Sequence, residues 1–265
     1  MNIFLREMKA NRKSLILWCA GMFFMIIASM GKYSTFVASG QSISLLMADI
    51  PQSIKAILGF GDFDLTKASG FYGLMYIYLV IMTTIHASML GAGIISKEER
   101  DKTAEFLMVK PVSRSKVVTS KLFAALVNVL VLNLVTTGLS IIILNQFSNG
   151  ESITSEIQIL MLGMFILQLI FLFIGTGIAA ASRNPWIPGS AATTILLVTF
   201  IISIIVDINS NLAFLKYFSP FKYFDAKNMM KDGALDPFYV ILSFVIIAVL
   251  ILITFSAYKK RDMKI

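Results

Sequence analysis

A single histidine, His86, lies inside an apolar stretch, and imidazole is the side chain whose ordinary charge change falls nearest neutral pH. A titratable group in such a place is a candidate for function. It can equally be a structural histidine that bonds a neighbouring hydroxyl, Thr83 or Thr84. As the base of a serine hydrolase, His86 would need Ser140 or Ser203 at its own depth, and neither serine has the sequence context of a nucleophile. Phosphate chemistry is absent too. There is no Gly-x-x-x-x-Gly-Lys-Ser/Thr loop, and the only Gly-Lys pair, Gly31-Lys32, runs on into Tyr33. The lone cysteine, Cys19, supports neither an internal disulfide nor a zinc pattern.

These groups must be held by elements that are mostly apolar. Of 265 residues 57% are hydrophobic and 14% charged, with mean hydropathy +0.81, against roughly 25% charged in an average soluble chain. The charges bunch into short stretches that could not cover a soluble surface, which excludes a soluble enzyme, a secreted domain and a disordered tail. Six apolar runs, 14–31, 71–95, 117–145, 157–181, 186–206 and 237–258, each approach or exceed the roughly 20 residues of a membrane-crossing helix. The reading is all-α: one polytopic domain over 1–265, with an arm (1–13), outer segments (32–70 and 207–236) and a connecting segment (96–116). No Asp, Glu, Lys or Arg falls well within any run, which argues against a proton-coupled carrier. Asn128, Asn133, Thr136, Thr137 and Gln168 read as helix-to-helix hydrogen bonds, and Ala87, Gly91, Gly175 and Gly177 as close helix packing.

Sixteen of the 23 Lys and Arg fall on one side if both termini are cytoplasmic, and nine of the 15 acids on the other. Lys216, Lys222, Lys227 and Lys231 are a dense set for a passive outer loop. The net charge of +8 flanks apolar runs, so it points to anionic lipid headgroups and not to nucleic acid. The arm reads as an amphipathic helix lying in the interface, with Ile3, Phe4 and Met8 toward lipid and Arg6, Lys9 and Arg12 toward phosphates. A signal peptide is the alternative, disfavoured by the length of the apolar run and the lack of a small-x-small cleavage site. Leu45, Leu46, Ile54, Ile57 and Leu58 suggest an outer segment on the membrane surface. Tyr217, Phe218, Phe221, Tyr223 and Phe224 read as an interfacial belt, and Asp236 with Pro237 as a helix start.

Within 96–116, Phe106, Leu107, Met108 and Val109 stand together between two charge clusters. Thr103 can cap a short helix, Glu105 suits its first turn, and Pro111 ends it after Val109. Such a stub helix either rests on lipid or is covered by a partner.

The order Lys-Thr-Ala-Glu-Phe-Leu (102–107), Lys-Pro-Val-Ser-Arg (110–114) and Lys121, after an acidic cluster, resembles the permease subunits of type-2 export-class ATP-binding-cassette transporters. Ser219-Pro-Phe-Lys-Tyr-Phe-Asp225 and the stretch from Ile50-Pro to Gly70 extend the likeness across the chain. The family commonly has Gly where this chain has Lys102, and often Leu at Met108. The resemblance implies a permease whose stub helix couples to a separate ATPase: Phe106 and Leu107 as anchors, Glu99, Arg100, Glu105 and Arg114 fixing register, and Thr103 at the helix start. ATP and magnesium would belong to that partner, with no cofactor here. A second permease copy or a sibling would complete the pathway, pointing Thr83, His86, Thr193, Thr194 and Ser203 toward it. An ATP-independent channel or carrier, or a sensor or immunity scaffold, are the alternatives, and the substrate is open.

Overall fold

The computed structural model describes residues 3–38, 51, 54, 63–103, 112–148 and 153–260. Leu45, Leu46, Ile57 and Leu58 lie outside them, as do Glu105, Phe106, Leu107, Met108 and Val109. The protein is all-α, with no strand among the described residues. Six helices are long and apolar enough to cross a membrane: α1 Ile3–Ala38, α2 Ala68–Arg100, α3 Arg114–Asn145, α4 Thr154–Ala181, α5 Ile187–Ile208 and, after a short α6 Ala226–Asp232, α7 Pro237–Lys260.

Sequence signals account for several ends. Ser113 Oγ accepts the Lys116 N–H at 3.3 Å and starts α3; Asp225 does the same for α6 through Lys227 N–H at 3.0 Å. Asp236 Oδ1 takes the Phe238 N–H at 2.8 Å with Pro237 at the first position of α7. The end of α2 is a Schellman turn. Lys102 stands in the left-handed region (φ 53), Thr103 N–H reaches the Glu98 carbonyl at 2.7 Å, and Lys102 N–H reaches that of Glu99 at 3.3 Å.

The arm is not a separate helix. Residues 3–13 continue into the first span as one helix of 36 residues, about 54 Å long against a hydrocarbon core of roughly 30 Å. Phe4 and Met8 are half-buried and pack on α3: Phe4 meets the Phe123 ring at 5.4 Å, and Asn128 Nδ2 approaches the Met8 sulfur at 3.2 Å. Packing against α3 rewards a continuous helix more than an interfacial bend would.

α2 and α4 form the most extensive helix pair and the centre of the bundle. They cross backbone to backbone at Gly91 and Gly175, where a Cβ on the first would strike the Leu172 carbonyl and one on the second the carbonyl of Ser88. Tyr76 Oη donates to the Leu160 carbonyl at 2.9 Å, Asn133 Nδ2 to that of Met161 at 3.1 Å, and the Thr176 and Thr254 hydroxyls meet at 3.1 Å. Of the polar residues read as interhelical bridges, Asn133 is one and Asn128, through the Met8 sulfur on α1, is another. Thr136 and Thr137 instead bond their own helix, and the buried Gln168 amide has no partner. A threonine can always satisfy its hydroxyl on the preceding turn. α5 and α7 are peripheral, burying only narrow stripes such as Ala192, Leu196 and Ser203, or Ser243, Ile247 and Thr254.

Candidate functional site

The start of α1 and the end of α7 share one end of the bundle. There Arg114 Nη1 donates to the Lys259 carbonyl at 3.0 Å, joining the start of α3 to the end of α7. At the same end Glu7 of α1 pairs with Lys97 of α2, and Glu98 of α2 pairs with Lys121 of α3. The Lys121 ammonium also donates to the Ile94 carbonyl at 2.5 Å and is wholly buried. Glu7 and Glu98 are buried as well, each leaving Oε1 without a hydrogen-bond partner. Two acids and two bases thus balance inside the bundle, and the helices they join are α1 and the two that flank residues 101–113.

No Asp, Glu, Lys or Arg falls well within an apolar run, yet Glu7, Glu98 and Lys121 are buried in the bundle. Glu98 and Lys121 sit at the margins of their apolar runs, but both helices extend past those margins and meet there. Lys97 is mostly covered and holds Glu7. Lys97 and Glu98 stand just past one apolar run, Lys121 just inside another and Glu7 on the arm, positions that read as ordinary flanking charges.

Of the residues assigned to coupling, Glu99 and Arg100 form the last turn of α2. Arg100 Nε donates to Asp101 at 3.2 Å, and its guanidinium lies 5.9 Å from the centre of the Trp186 ring. Thr103 turns back onto Glu98, its hydroxyl 3.5 Å from that carbonyl. Glu105, Phe106 and Leu107 lie outside the described residues. Lys102 explains the glycine usual at its position in the resembled family, because a left-handed residue costs a side chain about 1 kcal/mol.

A family model described as ABC-2 family transporter protein matches residues 1–263. The chain belongs to the ABC-2 transporter family. It is a multi-pass membrane protein and an ABC-transporter permease. No curated protein matches it.

Along this ABC-2 permease the five residues assigned to a pathway do not share one surface of a single copy. Thr83 is buried, its hydroxyl bonded to the Leu79 carbonyl at 2.8 Å, and Ser203 is buried and bonded to that of Phe200 at 2.6 Å. Thr193 is half-buried and bonds Gly189, while Thr194 is exposed on α5. His86 faces α1, its ring 5.3 Å from that of Trp18. It bonds neither Thr83 nor Thr84, whose hydroxyls serve their own helix, and Nδ1 is buried without a partner. Ser140 is engaged by the Tyr72 hydroxyl at 2.6 Å, so neither serine forms a pair with His86.

At the far end, residues 209–236 return into the bundle. Phe221, Tyr223 and Phe224 are buried, Phe221 between Phe171 and Phe200 at 5.2 and 5.4 Å, whereas Tyr217 and Phe218 are exposed. Only part of the aromatic cluster can therefore serve as an interfacial belt. Lys222 holds the segment, 2.6 Å from Asp207 and 2.7 Å from Asp225. Burial pulls its ammonium toward neutrality, but Asp225 and Asp207 outweigh it and keep the group above the usual lysine range.

Proposed function

We propose that this ABC-2 permease is the membrane-spanning half of an ATP-driven exporter. It works as a dimer, with a second copy or a sibling, above two separate ATP-binding-cassette subunits. ATP and magnesium are held on those partners, and this chain adds no cofactor. Both termini lie on the cytoplasmic side of the cell membrane, and residues 96–116 form the segment that seats in the ATPase. Six spans packed around the pair α2 and α4 leave little interior in one copy, so the route runs between two copies.

The observation that carries this reading is the buried charge cluster at the base of α1, α2 and α3. A segment pushed by a closing ATPase moves two helices directly, and Glu7 with Lys97 passes that motion to a third. The gathering of Glu7, Lys97, Arg114 and Lys259 at one end also supports placing the basic arm, connection and tail on one side.

Pull-down of the co-expressed ATPase tests the contact. Phe106→Ala and Leu107→Ala should each weaken it by about 2 kcal/mol or more, and Lys260→Ala, at an exposed position, should leave it intact. Equal recovery of all three would remove the coupling role. Orientation is checked separately on a Cys19→Ala background. An impermeant thiol reagent applied to intact cells should label Asp232→Cys, also exposed, and spare Lys260→Cys.

A further inference from the structure

The contact between α1 and α2 opens into a cleft along part of its length. Glu7 meets Lys97 at the termini end and Trp18 meets His86 further in. Between these points the two helices enclose about 230 Å³ of open space. α1 packs far more on α3 than on α2, which leaves this side uncovered. Gly93 lies midway along the cleft, and a Cβ there would meet nothing within 4 Å. It differs from Gly91, two residues away, whose missing Cβ is filled by backbone.

Along its middle the cleft is lined by Leu90 and Ile94 of α2 and by the polar Asn11 and Ser14 of α1, with Trp18 further in, and it is cationic at the termini end, where Lys97 and Arg100 stand. From Lys97 to His86 is eleven residues, about 16 Å of helix, or roughly half the hydrocarbon thickness. That is the depth of one leaflet. Lys97 is paired with Glu7, but among the described residues only the Nε of Arg100 is engaged, by Asp101. The forked end of the guanidinium is open to an anion, and Trp186, 71% exposed beneath it, is a residue type that settles at headgroup level.

We propose that this cleft holds one anionic phospholipid of the leaflet nearest the termini. The phosphate lies against Arg100 with Lys97 beside it, and one acyl chain runs over Gly93 to the rings of Trp18 and His86. The proposal goes beyond the permease reading, since it requires neither an ATPase nor a transported substrate.

The chain has two tryptophans, so Trp186→Phe leaves Trp18 as the only indole and keeps a ring under Arg100. In phosphatidylcholine nanodiscs, Trp18 fluorescence is followed as phosphatidylglycerol with brominated acyl chains replaces the host lipid. Brominated phosphatidylcholine is the matched series. The anionic lipid should half-quench Trp18 at about a fivefold lower fraction than the zwitterionic one, and Arg100→Gln should bring the two curves together. Gly93→Phe, which fills open space, should reduce quenching by both lipids. Gly93→Val should reduce it less, and that gradation separates a filled slot from a damaged fold. Equal quenching by both lipids in the parent protein would mean ordinary boundary lipid and overturn the proposal. So would a preference that survives Arg100→Gln, or quenching unchanged by Gly93→Phe. Nanodiscs have no inside, so a wrong orientation of the chain would leave these curves as they are.

Discussion

At the termini end two lysines and two glutamates from three helices neutralise one another almost entirely out of solvent, whereas at the far end one lysine is shared by two aspartates that each keep an exposed face. The first group lies on continuous helices and stitches α1, α2 and α3 together. The second fastens a returning segment to the end of α5. Burial sets what each loss would leave behind: an uncompensated charge in the bundle in one case, and an aspartate that can turn to water in the other. The position of each network therefore separates a joint between membrane-crossing helices from a clasp on a loop.

The largest effect should come from breaking the joint. Lys121→Ala strands Glu98 in the interior and should cost about 3–5 kcal/mol, read as a loss of folded protein in detergent or a large fall in Tm. Replacing both members, Glu98→Leu with Lys121→Met, removes the stranded charge and should recover most of that stability. If Lys121→Ala costs no more than Lys222→Ala, the contrast between the two ends fails.

Lys222→Ala should cost less, about 1–2 kcal/mol, because its aspartates are partly hydrated. Its pH dependence has a definite sign. The raised native pKa of Lys222 means that its contribution is complete below the unfolded lysine value of about 10.4 and is lost as pH rises through the native value. The Tm gap between the parent protein and Lys222→Ala should therefore hold constant up to about pH 10 and close above it.

The smallest change is a gain. Lys102→Gly relieves the left-handed residue at the end of α2 and should stabilise the protein by up to about 1 kcal/mol, measured as a modest rise in Tm.

Six apolar runs, their order and the start of α7 at Asp236 and Pro237 could be read directly, because run length and capping chemistry are local properties. The merging of arm and first span could not. A basic face fits both an interfacial helix and the base of a long one, and Phe123 and Asn128, which decide between them, lie more than a hundred residues away. The charge cluster was hidden for a related reason. Lys97 and Lys121 look like ordinary flanking positives until α1 and α2 supply Glu7 and Glu98. The burial of Phe221 and Phe224 was equally non-local, since an aromatic that anchors at the interface and one that folds inward have the same composition. The assigned pathway residues show the same limit: facing direction depends on neighbours, and Thr83 and Ser203 turn their hydroxyls to their own helices.

The crossing of α2 and α4 has a mechanical consequence. With no side chain between the backbones at Gly91 and Gly175, α2 is held there as a rod is held at a fulcrum. Arg100 lies nine residues to one side, about 14 Å, and Ala68 lies 23 residues to the other, about 35 Å. For a rigid tilt about that point, each ångström moved at the short arm becomes roughly 2.5 Å at the long one. In such a tilt the placement of one glycine would set the gain of α2 as a lever.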